Sequence, residues 1–349
     1  MSISSTPCKT LELSPRAFAC GYVEAVESDG EWTFHRFLPG QAQAYRDAGN
    51  EDFYRKTFAT AGVRLAFRTD AESLSFDYRF AYGSSRKFGF FDICVDGAIV
   101  AHIGLDEDDG ARHHAEAALG AGAKNVEIYF PWSRQAFVSN LVLDGATFAE
   151  PLRRPRTMLS FGDSITQGYD AQYPSLAYAE AIARLLDADN VNKAIGGDRF
   201  FPTLLNEPDT FQPDIVLVAY GTNDWRHGPA EDVRARAKAF YERLAANYPA
   251  ARILVVTPLW RADPPSDSVF GEDVRCIDRL IRDVCAGITN ATVIPGYNLV
   301  PHLPEFFSDR RLHPNDIGFA IYAQNLLREI TARGGRDGAR PSRSPSGLH

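Results

Sequence analysis

The sequence has no long apolar run, no paired-cysteine motif and no excess of positive charge, and each absence closes off a class of protein. No run of about 18 apolar residues occurs, so no helix is expected to span a membrane. Cysteine is scarce: Cys8, Cys20, Cys94, Cys276 and Cys285 are odd in number, with no CxxC pair and no Cys/His metal spacing. Buried free thiols in a reducing compartment are the expectation. Cys276 and Cys285 stand nine apart in a helical pattern, which argues against a local disulfide. The formal net charge is −8, which disfavours nucleic acid as a partner, because phosphate binding needs a basic face. Met1 to Phe18 lacks an apolar core of signal-peptide length, so the cytoplasm is the expected location. Gly196-Gly197 has neither the GxGxxG nor the GxxxxGK spacing of a phosphate loop. The Gly-x-Ser-x-Gly elbow of α/β-hydrolases is absent at Ser164.

What is present is the balance of a soluble globular protein: 45% hydrophobic and 23% charged residues over 349 positions, enough for one large domain or two ordinary ones. Two regions differ in character. Residues 1 to about 60 give weak signals, with strand fragments at 21–27 and 32–37 split by Ser28-Asp29-Gly30. From Val63 the period is two: Val63, Leu65 and Phe67, then Leu74, Phe76, Tyr78 and Phe80, alternate with polar or small neighbours. The Asp96-Gly97 hairpin signal and further strands at 126–130 and 137–143 follow. His113-His114 is read as part of a solvated acidic loop rather than a metal site. Short strands with turn signals at this spacing predict a β-sandwich accessory domain over 1–150, jelly-roll-like.

Pro151 to Arg156 reads as a linker, and strands then alternate with helices. Strands are expected at 158–161, 191–195, 215–220, 253–257 and 291–294, and helices at 176–186, 230–248, 274–285 and from Pro314 to about 332. The pattern predicts an α/β domain over 151–333 built on a doubly wound parallel five-stranded sheet. The Gly-, Ser-, Pro- and Arg-rich tail over 334–349 is expected to be disordered.

Four stretches of this second domain fall at strand ends or before the last helix, where open α/β sheets put their sites. They are Gly162-Asp163-Ser164, Asn192 to Asp198, Gly221-Thr222-Asn223-Asp224, and Asp309 to Asp316. Together they supply what acyl transfer needs. A serine hydroxyl is a poor nucleophile until a base takes its proton. Ser164 is the candidate nucleophile, His313 the base, and Asp309 the carboxylate that orients the imidazole. The N–H groups of Ser164 and Gly197 and the amide of Asn223 are the candidate oxyanion donors.

In order and content, these stretches resemble the four blocks of the SGNH (GDSL-type) serine hydrolases. The resemblance covers about residues 157–331. It implies a carboxylic ester hydrolase that needs no metal or organic cofactor, and it points to Gly197 rather than Gly196 as the donor. It also implies that Asp163 and Asp224 are structural and that Asn192 braces the second block. The β-rich first half is similar in architecture to the two-domain members, including carbohydrate esterase family two. The implied substrate is a short-chain, O-acetyl ester, a small molecule or an acetylated saccharide. A longer-chain lipase- or thioesterase-like acylhydrolase and a non-catalytic carbohydrate-binding protein are the alternatives. A homo-oligomer is left open. The sequence departs from the family in one respect: the acid normally stands three residues before the histidine, where this chain has Arg310, and Asp309 stands four before. Either a one-residue bulge brings Asp309 to the imidazole, which is the expectation, or a backbone carbonyl orients His313 and the site works as a dyad. Tyr169, Arg199, Trp225 and Trp260 are the substrate-pocket candidates.

Overall fold

The computed structural model describes residues 10–334. Cys8 lies outside the described residues, and so does the expected tail beyond Gly334.

The first half forms two antiparallel sheets of six strands each. One runs in the order Glu24–Ser28, Glu31–His35, Arg134–Asp144, Ser73–Tyr82, His113–Ala118, and Thr10–Leu13 also pairs with Arg134–Asp144. The other runs Ala149–Pro151, Arg64–Thr69, Lys124–Tyr129, Gly89–Val95, Ala98–Leu105, and Ala19–Cys20 pairs with Arg64–Thr69. The period-two residues read from the sequence are the ones that face inward: Val63, Leu65, Phe67, Leu74, Phe76, Tyr78 and Phe80 share one buried core, which Phe91 and Ile93 join. This is the β-sandwich that the alternation predicts.

The second half carries a five-stranded parallel sheet in the order Ala188–Asn192, Arg156–Gly162, Ile215–Ala219, Arg252–Val256, Ala291–Ile294. Helices Tyr178–Leu185, Ala230–Asn247, Arg275–Cys285 and Asp316–Gly334 accompany it. The strands are buried on both faces, so alternate residues enter different cores. Leu159, Val216, Val218, Ile253 and Val255 pack with Phe240 and Ile277, while Met158, Leu217, Leu254 and Val256 pack with Ile182 and Phe319.

Four readings of the sequence need correction. Residues 39–56 form two helices, Pro39–Asp47 and Glu51–Lys56, where only weak signals were legible. Phe37, Ala42 and Tyr45 belong to the core of the parallel-sheet domain, so this part of the first half packs on the second. Buried Arg36 holds it there, donating to the carbonyls of Lys56, Ala59, Asn192 and Ala194. Second, His113-His114 opens a strand, not a loop. Its inward residues are Ala115 and Ala117, and alanine carries little hydrophobic signal. His113 meets Asp109 at 2.8 Å and His114 meets Asp77 at 2.7 Å. Third, the strand expected at 191–195 is Ala188–Asn192; Asn192 Oδ1 accepts the Ala194 N–H at 3.1 Å and turns the chain at that point. Fourth, Pro314 stands before the last helix rather than in its first turn, because Asn315 caps it by accepting the Gly318 N–H at 2.9 Å.

Among the described residues, Cys20, Cys94 and Cys285 are buried free thiols and Cys276 is partly buried. None of the described helices is long and apolar enough to cross a membrane.

Candidate active site

The strand Arg156–Gly162 ends at Asp163, whose Oδ1 accepts the Ile165 N–H at 3.0 Å and starts the single helical turn Ser164–Gln167. That turn fixes Ser164 at the C-terminal edge of this strand, the second of the five in the sheet. Asp163 is buried, and burial pushes its carboxyl up to about 7, against the Ile165 N–H and the charge of His313.

His313 arrives from the loop before the last helix. Its Nε2 lies 2.9 Å from Ser164 Oγ, and its Nδ1 lies 2.8 Å from Asp309 Oδ2. The extra residue is absorbed at Arg310, which takes the left-handed conformation at φ 58°. The loop is closed around it: Ser308 N–H donates to the His313 carbonyl at 2.8 Å, and Phe307 bridges Pro314. Asp309 Oδ1 accepts the N–H groups of Arg311, Leu312 and His313 at 2.9, 2.7 and 3.1 Å. Burial works to raise the Asp309 carboxyl. The hydrogen bond from His313, the Leu312 N–H, the charge of His313 and the Arg311 N–H outweigh it and hold the group well below the ordinary carboxylate range. The three side chains therefore form one hydrogen-bonded chain from carboxylate to hydroxyl, with the carboxylate ionised.

The donors converge on the same edge. Gly196 N–H is engaged by Gln167 Oε1 at 2.7 Å, whereas among the described residues no acceptor takes the N–H of Gly197. Gly197 is exposed and has φ 92°, a conformation suited to glycine. At Gly196 an added Cβ would lie 2.5 Å from the Tyr169 ring, so the loop is pressed against that aromatic. Asn223 Nδ2 donates to the Asp198 carbonyl at 3.0 Å, which places the amide beside the Gly197 turn, and among the described residues no acceptor takes its other N–H. Behind the loop, Asn192 Nδ2 donates to the Thr166 carbonyl at 2.8 Å and ties the second block to the first. Buried Asp224 accepts the Phe200 N–H at 3.3 Å and meets Arg236 at 3.3 Å.

The pocket candidates divide. Tyr169 lies against the His313 ring at 5.8 Å between centroids and against Trp132 at 4.8 Å, so it forms a wall of the site. Trp225 does not line the cleft. It is fully buried, its Nε1 donates to the Glu272 carbonyl at 2.8 Å, and the Arg261 guanidinium covers its ring at 4.4 Å. Trp260 stacks on His302 at 5.4 Å and touches Phe307, behind the Asp309–His313 loop. Arg199 is partly exposed and donates to the His227 carbonyl at 3.3 Å.

Sequence reasoning missed the side chains that the first half sends to the site. Phe53 lies 3.4 Å from where a Cβ on Gly197 would stand, and Lys56 Nζ donates to the Gly196 carbonyl at 3.2 Å. Arg86 reaches Asp170 beside His313. These contacts join residues more than 80 positions apart, and no local spacing marks them.

Residues 160–321 match the GDSL-like lipase/acylhydrolase family. No curated protein matches the sequence. Solved structures do. The salicylyl-acyltransferase SsfX3 from a tetracycline biosynthetic pathway is 23% identical with a TM-score of 0.75, over 95% of this chain and 98% of that one. A family two carbohydrate esterase from Cellvibrio japonicus is 18% identical with a TM-score of 0.64, over 93% and 97% of the two chains. An acetyl xylan esterase from Butyrivibrio proteoclasticus is 15% identical with a TM-score of 0.61, over 95% and 100%. At these identities the likeness is one of fold, and it spans both halves of the chain.

Proposed function

We propose that this chain, a carboxylic ester hydrolase of the GDSL/SGNH type, removes short acyl groups, acetyl above all, from carbohydrate esters through an acyl-enzyme on Ser164. The observation that carries this reading is the continuous chain Asp309–His313–Ser164, with links of 2.8 and 2.9 Å, ending beside the open N–H of Gly197. His313 takes the Ser164 proton as Oγ attacks the ester carbonyl, and the ionised Asp309 stabilises the imidazolium and fixes its tautomer. The Ser164 and Gly197 N–H groups and the Asn223 amide receive the oxyanion. His313 then protonates the departing alcohol, and the same steps with water release the acid. The Phe53 and Tyr169 rings crowd the donor loop, which favours a small acyl group. The carbohydrate assignment draws on the fold shared with the esterases named above.

The test is acyl-chain selectivity on p-nitrophenyl acetate, butyrate and octanoate, with acetate release from acetylated saccharides alongside. Turnover that favours acetate and frees it from sugars supports the reading. A preference for octanoate, or no release from sugars, moves the substrate to a longer-chain acylhydrolase.

A second reading is acyl transfer to an alcohol other than water, favoured by the likeness to SsfX3 over nearly the whole of both chains. The two separate when an added alcohol competes with water: transfer gives a new ester in preference to free acid.

A further inference from the structure

The His313 imidazole faces two carboxylates, and only one belongs to its own loop. Asp170 Oδ2 stands 3.9 Å from His313 Nδ1, on the nitrogen that Asp309 engages at 2.8 Å. Asp170 sits just after the nucleophile turn. Its backbone is left-handed, at φ 70°, a conformation that costs a non-glycine residue free energy and needs fixing by its surroundings. The surroundings supply it. Tyr169 N–H donates to the Ser164 carbonyl at 2.9 Å, Ala171 N–H to the Gly168 carbonyl at 3.0 Å, and Trp132 Nε1 to the Ala171 carbonyl at 2.8 Å. Ser308, from the histidine's own loop, donates to the Asp170 carbonyl at 3.4 Å.

The carboxylate is pinned as well. Arg86, in the turn between sandwich strands Ser73–Tyr82 and Gly89–Val95, grips it with both arms, Nε to Oδ1 at 2.7 Å and Nη2 to Oδ2 at 3.1 Å. The guanidinium also lies over the Tyr169 ring at 5.3 Å, and that ring lies against His313. The oxygen that faces the imidazole is thus shared with an arginine from the other half of the molecule. Asp163 under the nucleophile turn also acts on His313 by its charge, and Arg311 of the histidine's loop has its Nη1 committed to Asp263 at 2.7 Å.

The geometry points to Asp170, held by Arg86 of the sandwich, as a second positioning carboxylate for His313. While Asp309 is in place, Asp170 contributes little, because Arg86 offsets its charge and Nδ1 has one proton to give. With Asp309 removed, a shift of about 1 Å brings Nδ1–H within hydrogen-bond distance of Asp170, which then keeps the productive tautomer. Through this oxygen Arg86 of the sandwich reaches the reacting imidazole. The inference rests on the hydrolase reading for its kinetic test and on the geometry alone for its spectroscopic one.

The experiment is a double-mutant cycle on Asp170→Asn and Asp309→Ala in the full chain. Asparagine accepts the left-handed conformation, so Asp170→Asn removes the charge and keeps the turn. In the wild-type background kcat should fall by no more than about threefold. In the Asp309→Ala background the same change should lower kcat by about tenfold or more with KM unmoved. Arg86→Gln should lower kcat in that background in the same direction. If Asp309→Ala does not fold, Asp309→Ser, whose hydroxyl keeps an acceptor for the loop N–H groups but is too short to reach the imidazole, is the second background, with the same result expected. An equal factor for Asp170→Asn in both backgrounds overturns the inference. The readout that needs no substrate is the downfield Nδ1–H proton resonance of His313. It should persist in Asp309→Ala and vanish when Asp170→Asn is added, and its absence from Asp309→Ala also overturns the inference. Lack of turnover by the wild type counts against the hydrolase reading instead, and leaves the resonance to decide this one.

Discussion

Asp309 reaches His313 across four residues because Arg310 turns left-handed between them: φ 58° at Arg310 puts Asp309 Oδ2 2.8 Å from Nδ1. Substituting Asp309→Asn keeps the loop caps but offers the ring the wrong partner. The expected loss is about 10²- to 10⁴-fold in kcat with KM nearly constant, measured by steady-state kinetics. Activity within a few-fold of wild type removes Asp309 from the catalytic chain.

The same bulge predicts the behaviour of Arg310 itself. Glycine adopts positive φ without strain, so Arg310→Gly should leave kcat/KM within about threefold and the melting temperature level or raised. A β-branched residue is poorly accommodated there, so Arg310→Val should lower both. Equal tolerance of the two substitutions removes the role given to the left-handed turn.

Asn223 should matter to the rate and little to binding. Its amide is held by the Asp198 carbonyl at 3.0 Å, beside the Gly197 donor. Losing one oxyanion donor costs about 10²- to 10³-fold in kcat, so that is the fall expected of Asn223→Ala. A change confined to KM contradicts the assignment.

Phe53 gives a prediction about selectivity. Its ring stands 3.4 Å from the position of a Cβ on Gly197, and it comes from the first half of the chain. Phe53→Ala should raise turnover of the butyrate ester relative to the acetate ester. An unchanged ratio places the ring outside the acyl pocket.

Two buried carboxyls contribute to the dependence of stability on pH. Burial pushes both Asp163 and Asp198 up to about 7; Asp198 Oδ2 is hydrogen-bonded by the hydroxyls of Tyr45 and Tyr220 at 2.8 and 2.9 Å. A carboxyl whose folded pKa exceeds its unfolded value of about 3.9 favours folding in its protonated form. That contribution is complete below about pH 4 and is lost as pH rises through about 7. The melting temperature should therefore fall between pH 5 and pH 8 by way of these groups, and Asp198→Asn should flatten the fall. A steeper fall in that variant contradicts the account.

The sequence made the candidate site residues legible and hid the architecture that supports them. Ser164, Gly197, Asn223 and His313 stand in compact blocks at strand ends or just before the last helix, where local spacing and residue type carry the signal. The parallel strands were visible as apolar runs, and the sandwich as alternation from Val63 onward. The helices over 39–56 were not, because their buried residues, Ala42 and Tyr45, meet the other half of the chain rather than a local partner. Trp225 misled for a related reason. It follows the candidate oxyanion donor Asn223 by two positions, but its helix turns it into the core, where Arg261 covers it. Arg86 and Asp170 are paired only by the docking of one half on the other, and no pattern along the chain records that.

The most direct test of the central claim is hydrolysis of p-nitrophenyl acetate by the wild type and by Ser164→Ala, compared at equal concentration. The account predicts clear turnover by the first and a fall to background in the second, with the variant still folded by its melting curve. Undiminished turnover in Ser164→Ala contradicts it.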